Sequence, residues 1–233
     1  MAAEADVPKR SPRDRSMLGR EETVSTNILV KRRIIKLAVI AGTIGPVLFG
    51  GVLLALTLLE YDFMLGIGWR PVAEPAGAWP SGLALGSYGG AQIANFVVSG
   101  FLLCLFALGL HLELATRHAS TSPGPALLFV AGVAMSLMGF RTDPIERVGP
   151  RSLHGLIHDS AFVVFVLAFL AALFFLWWGL GRDARWRGHA RYTLATGILA
   201  VLLLLLPGVA YYLFLVTLLA WIEVAAVRLW RLL

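Results

Sequence analysis

Long apolar runs separated by short charged clusters constrain this chain more than any other feature of its sequence. A helix needs about 20 apolar residues to cross roughly 30 Å of hydrocarbon, and runs near that length recur between residues 34 and 227. Hydrophobic residues make up 58% of the 233 residues and charged residues 15%, whereas a soluble domain carries about 25% charged residues. The pattern predicts a single-domain, all-α, polytopic membrane helix bundle.

Six segments are predicted to span the bilayer. They are Ile34–Leu59, Gly90–Leu112, Gly124–Phe140, Leu156–Leu180, Tyr192–Leu206 and Val209–Val227. The third and fifth are short, and Pro207-Gly208 provides the turn that separates the last two. If those two were one long helix instead, the chain would cross five times. Residues 1–30 are polar and basic and hold too little apolar surface to fold alone. They are therefore predicted to form a disordered cytoplasmic tail, and residues 31–233 the bundle.

The positions of lysine and arginine predict the orientation, since cytoplasmic loops carry an excess of both. With the N-terminus inside, four of the 20 basic residues fall outside, namely Arg70, Arg141, Arg147 and Arg151, which leaves sixteen inside. Both termini are therefore expected in the cytoplasm, with the chain in the plasma membrane. The net charge of +6 comes from residues that flank apolar runs, so it indicates membrane orientation and not nucleic-acid binding.

The outer connector between the third and fourth predicted spans holds the strongest candidate site. His154 and His158 are four residues apart at the start of a helix, which places both imidazoles on one face. That arrangement commonly offers two ligands to a metal such as Zn²⁺, and Asp143 in the preceding loop can supply an oxygen ligand. The alternative is that the histidines are interfacial side chains bonded to water or to loop carbonyls. Cys104 is the single cysteine, so neither an internal disulfide nor a cysteine-rich metal site is available.

The same connector is locally basic. Its arginines are Arg141, Arg147 and Arg151, against the carboxylates of Asp143 and Glu146. Arginine binds phosphate oxygens through charge-assisted hydrogen bonds. The connector is therefore predicted to attract a lipid headgroup or a small anion, and this interpretation is favoured over metal binding because a third fixed metal ligand is not evident.

A polar stripe runs along the second predicted span. Tyr88, Gln92, Asn95 and Ser99 follow helical spacing on one face. Amides inside hydrocarbon normally face the bundle interior or a wet cavity, so the stripe and the histidines can line one outward-open pocket. Hydrogen bonding between helices explains the stripe equally well.

Two sets of residues in the outer segments resemble a known family. The run Phe140-Arg141-Thr142-Asp143-Pro144 and the run His154-Gly155-Leu156-Ile157-His158 resemble the bacterial membrane family called domain of unknown function 998. The run Pro80-Ser81-Gly82-Leu83-Ala84-Leu85-Gly86 resembles that family's Ile-Ser-x-Leu-Gly loop in degraded form. The resemblance covers most of residues 35–230 and implies a six-span bundle with no established activity.

Three functions are consistent with these features. The first is a multi-pass membrane protein with an outward-facing polar pocket for a lipid headgroup or small anion. The second is a metal-dependent membrane hydrolase that uses His154, His158 and Asp143 with a metal-activated water. The third is a transporter, which the lack of a clear repeat between the two halves disfavours. A lipid phosphatase is excluded because Pro80-Ser81-Gly82 is followed by Leu83, where that chemistry requires an acid histidine.

Overall fold

The computed structural model of the protein describes residues 12–115, 123–144 and 148–233. Its α-helices are α1 (Pro12–Leu59), α2 (Tyr61–Gly66), α3 (Gly89–Ala115), α4 (Pro123–Leu137), α5 (Leu153–Leu180), α6 (Arg187–Leu205) and α7 (Ala210–Trp230). Two short 3₁₀ helices, Pro75–Gly77 and Ser81–Leu85, lie between α2 and α3. These ranges contain no strand, so the predicted all-α fold is confirmed.

Five helices in the described ranges are long and apolar enough to cross a membrane. They are residues Leu29–Leu59 of α1, Gly89–Leu114 of α3, and all of α5, α6 and α7. The chain is therefore a multi-pass membrane protein. α4 has 15 residues, which corresponds to a rise of about 22 Å and falls short of the roughly 30 Å hydrocarbon core. The sixth crossing stays a prediction.

The first helix begins earlier than the expected span. α1 starts at Pro12, within the segment predicted to be a disordered tail, while residues 1–11 of that segment lie outside the described residues. Residues 12–28 include three arginines, two glutamates, one leucine and one methionine, which have high helix propensity. The apolar part of α1 begins only at Leu29, so the earlier turns extend the helix beyond the part able to lie in hydrocarbon.

Six of these helices form a closed ring in chain order. Each of α1, α3, α4, α5, α6 and α7 packs against the next, and α7 packs against α1. α4 runs antiparallel to α5, because Gly124 contacts Leu176 at one end while the Met138 carbonyl oxygen lies 2.8 Å from His158 Nδ1 at the other. α4 and the residue that follows it thus lie along α5 between His158 and Leu176.

The loops 60–88, 138–152 and 206–209 lie at one end of the ring, called the loop end below. Segment 60–88 folds back over the ring. Its two ends are joined because Glu60, which is buried, accepts a hydrogen bond from the Tyr88 amide at 2.5 Å. The Trp79 indole donates to Thr57 Oγ1 of α1 at 2.8 Å and packs edge-on against Tyr212 of α7. These contacts hold the 3₁₀ helix Ser81–Leu85 over the mouth of the ring.

Candidate functional site

Two cavities meet beneath the 3₁₀ helix Ser81–Leu85. The deeper one, called the inner cavity, has a volume of about 60 Å³ and is walled by apolar side chains that include Phe49, Phe96, Leu103, Met135, Phe169 and Leu218. The second, called the vestibule, has a volume of about 330 Å³ and is lined by residues that include Trp79, Asp143, Arg151, His158 and Asp159. The vestibule is the more polar of the two, and it lies at the loop end.

Three residues line both cavities. They are Ser81 of the 3₁₀ helix, Phe162 of α5 and Tyr211 of α7. The inner cavity and the vestibule are therefore adjacent, and these side chains mark the boundary between the apolar and the polar cavity.

His158 is the central polar residue at this boundary. Its side chain is buried, with 3% of the residue exposed, and it lies on α5 against the ring of Phe96. Nδ1 is 2.8 Å from the carbonyl oxygens of both Met138 and Phe140, and Nε2 is 2.8 Å from Ser81 Oγ. Carbonyl oxygens only accept hydrogen bonds, so we assign the proton of the neutral ring to Nδ1. Nε2 then accepts the hydrogen bond that the Ser81 hydroxyl donates.

Asp143 fixes the connector that leads into α5. Its Oδ2 accepts a hydrogen bond from the Ser152 amide at 2.8 Å, and the Ser152 hydroxyl in turn accepts one from the Gly155 amide at 3.0 Å. Ser152 is thus the N-cap of α5. Gly155 lies directly against the Asp143 carboxylate, where a side chain would overlap it. The runs 140–144 and 154–158 therefore contact each other in the structure. The hydrogen bonds of Asp143 and Ser152 fix where α5 begins.

The charges of the vestibule differ from those expected for the connector. Arg151 forms an ion pair with Asp159, and their side chains are 66% and 38% exposed. Arg141 is exposed and does not line the vestibule, and Arg147 lies outside the described residues. Among the residues that the structure describes, the charged lining of the vestibule is therefore the guanidinium of Arg151 with the carboxylates of Asp143 and Asp159.

The two histidines expected to act together are separated in the structure. His154 is exposed and packs edge-on against Phe140, and it does not line the vestibule. It belongs to the first turn of α5, above the packed part of the ring. Within the described ranges, no three side chains of His, Cys, Asp or Glu lie close enough together to hold a metal ion. His154, His158 and Asp143 thus do not converge.

Three residues of the polar stripe, Gln92, Asn95 and Ser99, lie in α3 and are at most 4% exposed, whereas Tyr88 precedes α3 and is 54% exposed. Asn95 Nδ2 donates to the Phe49 carbonyl oxygen of α1 at 3.2 Å and to Gln92 Oε1 at 3.4 Å. Ser99 Oγ donates to Asn95 Oδ1 at 3.4 Å, and Ser99 also lines the inner cavity. These three residues therefore face the interior, where they join α3 to α1, and only Ser99 reaches a cavity.

Ser81 and Tyr211 are the site residues that the sequence patterns did not single out. Ser81 was quoted only within the loop that resembles the family, and Tyr211 only follows the Pro207-Gly208 turn. The available signal was that residues 80–86 and residues 140–158 belong to segments predicted on the same side of the membrane. Residues 77 positions apart can then meet, as Ser81 and His158 do.

Comparison with known proteins identifies one family. The sequence model of a family described as "Protein of unknown function (DUF998)" matches residues 50–230. No curated protein matches the chain. No solved structure matches it either.

Proposed function

This chain belongs to DUF998, a family of proteins of unknown function, and we propose that it is a six-span plasma-membrane protein that binds a lipid headgroup in an outward-facing vestibule. The observation that carries the proposal is the boundary at Ser81, Phe162 and Tyr211, where the polar vestibule adjoins the apolar inner cavity. A polar compartment adjoining an apolar one suits an amphiphile. A small free anion would need only the polar part.

The proposed topology has two supports. α4 lies antiparallel between α3 and α5 and reaches from Leu176 to His158 along α5, which is the path of a crossing helix. The second support is the distribution of arginine between the two ends of the ring. The connector between α5 and α6 carries Arg182 and Arg185, and Arg228 binds the Arg185 carbonyl oxygen at that end. The basic end is assigned to the cytoplasm, so the loop end and the vestibule face outward.

The charges of the vestibule favour a zwitterionic headgroup. The exposed guanidinium of Arg151 can bind a phosphate oxygen, while the carboxylates of Asp143 and Asp159 can accept hydrogen bonds from an ammonium group. The inner cavity, about 60 Å³, is smaller than the roughly 150 Å³ cavity that holds benzene. It accepts the first carbons of an acyl chain, and more of the chain enters if flexible side chains such as Met135 shift.

Lipid retention tests this proposal. The purified protein is exchanged into nanodiscs that contain phosphatidylethanolamine, and co-purified lipid is counted by native mass spectrometry. Arg151→Ala removes a charge-assisted hydrogen bond of about 1.5–3 kcal/mol, so retention should weaken by roughly ten-fold or more. Arg141→Ala is the matched control, because Arg141 is exposed on the same connector but does not line the vestibule, and it should retain lipid like the wild type.

Two results would contradict the proposal. If Arg151→Ala and Arg141→Ala lose lipid equally, the vestibule is not the binding site. If inorganic phosphate at millimolar concentration displaces the lipid completely from the wild-type protein, the site is for a free anion and the inner cavity contributes nothing.

A further inference from the structure

We propose that Ser81 and His158 form a nucleophile and general-base pair that cleaves a carboxylic ester of a lipid bound in the vestibule. This inference rests on the proposed lipid site and adds a reaction to it. The substrate class is a glycerolipid or another amphiphile in which an ester joins a polar group to an acyl chain. The reaction class is acyl transfer to Ser81 followed by hydrolysis.

The geometry of the pair carries the proposal. The Ser81 hydroxyl lies 2.8 Å from His158 Nε2, within the range expected between a nucleophile and its base. The carbonyl oxygens of Met138 and Phe140 both lie 2.8 Å from Nδ1. They hold the ring in the tautomer that leaves Nε2 free to take a proton, which is the task of the third, orienting member of a serine triad. The base is buried, while Ser81 is half-buried and faces both cavities.

The position of Ser81 matches the chemistry of an amphiphile. With the headgroup in the vestibule and the start of the chain in the inner cavity, the bond that joins the two lies at the boundary between the cavities. Ser81 is one of the three residues at that boundary. A carbonyl carbon next to the apolar chain is therefore placed beside the Ser81 hydroxyl.

The reaction balances with water as the only co-reactant. Ser81 Oγ bonds to the ester carbonyl carbon while its proton passes to His158 Nε2. The tetrahedral intermediate collapses, the bond from the carbonyl carbon to the leaving oxygen breaks, and Nε2 returns the proton to that oxygen to release an alcohol. Water from the vestibule then attacks the acyl-serine, giving its proton to Nε2, which restores the Ser81 hydroxyl as the fatty acid leaves. Tyr211 is the other hydroxyl-bearing residue at the boundary and can donate a hydrogen bond to the oxyanion.

Serine labelling provides the first experiment. The full-length protein in detergent is treated with an alkyl fluorophosphonate, and the modified peptide is located by mass spectrometry. We expect modification of Ser81, and its loss in Ser81→Ala. His158→Gln should slow the labelling by roughly 100-fold or more, the contribution of a general base. Ser160→Ala is the matched control, since Ser160 is an exposed serine on the same helix as His158 and lines neither cavity, and its labelling should equal that of the wild type.

Turnover provides the second experiment. Wild-type protein in phosphatidylethanolamine vesicles should release fatty acid and lysophospholipid, and Ser81→Ala should release neither while still retaining lipid in the nanodisc assay. Loss of product release with lipid still retained shows that Ser81→Ala affects the reaction and not lipid binding. If the wild type retains lipid but Ser81 is neither labelled nor required for fatty acid release, the hydrogen bond between Ser81 and His158 only holds segment 60–88 onto the ring and the inference is wrong. If lipid is not retained at all, the binding proposal fails, and fluorophosphonate labelling of Ser81 alone would still support a nucleophile.

Discussion

At Gly86 the carboxylate of Glu60 occupies the space that any side chain would need. The backbone of Gly86 has φ −78°, a conformation open to every residue, so the requirement for glycine comes from space alone. Glu60 is buried and also binds the Tyr88 amide. Because Gly86 has no Cβ, the Glu60 carboxylate fits against it, and the two ends of segment 60–88 can lie together.

Gly86→Ala should destabilise the protein by about 1–3 kcal/mol, because an added carbon must displace Glu60 or the backbone. The measurement is the melting temperature in detergent. Gly66→Ala serves as the control in the same segment, since nothing lies within 4 Å of a Cβ there, and its effect should stay within about 0.5 kcal/mol. Equal melting temperatures for the two variants would mean that segment 60–88 accommodates the methyl group without loss.

The two histidines of the connector show what a spacing pattern can and cannot predict. The spacing of His154 and His158 predicted one shared face, and helical geometry alone supports that. The two side chains differ in burial. His158 is buried inside the ring, whereas His154 is exposed in the first turn of α5 beside Phe140. The partners that surround His158, namely Ser81, Met138 and Phe140, are 18 to 77 positions away along the chain, and local periodicity does not predict such contacts.

Among the elements, α3 and α4 approach each other closely at a pair of glycines, Gly100 and Gly132. A Cβ on Gly132 would lie 2.8 Å from the Gly100 carbonyl oxygen and 2.8 Å from the Cys104 amide nitrogen. A Cβ on Gly100 would lie 2.5 Å from the Gly132 carbonyl oxygen. All three of these obstacles are backbone atoms, which cannot rotate away as a side chain does. The separation of the two helices is therefore set by these glycines.

Gly132→Ala should lower stability by about 1–3 kcal/mol, because α3 and α4 must move apart to admit the methyl group. Gly51→Ala in α1 is the control, with nothing within 4 Å of its Cβ. It should be neutral or stabilising by up to about 1 kcal/mol, since alanine has the higher helix propensity. Thermal unfolding of both variants in the same detergent compares them. A stability loss as large in Gly51→Ala as in Gly132→Ala would show that the tight contact is not the cause.

Apolar run length predicted the helices well and their ends less well. α5 begins at Leu153, where Leu156 was expected, because the Ser152 cap adds a polar first turn that hydropathy does not detect. α6 begins at Arg187, where Tyr192 was expected, for a similar reason: its first turns contain Arg187, His189 and Arg191. The close packing of α4 against α3 and α5 depends on long-range contacts, and run length does not report these.

For the whole molecule, reporter fusions decide whether α4 crosses the membrane. A reporter after Ala73 should lie outside, and reporters after Trp186 and after Leu233 should both lie inside, if α1, α3, α4, α5, α6 and α7 all cross. The physical basis is the excess of arginine and lysine on the predicted inner side. If α4 does not cross, the fusions after Trp186 and Leu233 will both report the outside, while the fusion after Ala73 is unchanged and serves as the control.

The ring closes through α7, the last helix that the ribosome delivers among those described. Tyr211, Leu215 and Leu218 of α7 form one wall of the inner cavity, and until they arrive the gap between α6 and α1 opens sideways into the surrounding hydrocarbon. A lipid tail from the bilayer can lie in that gap while the chain is still being inserted. The lipid proposed to bind the site can therefore enter from the bilayer during membrane insertion, so that the first lipid bound need not pass through the vestibule.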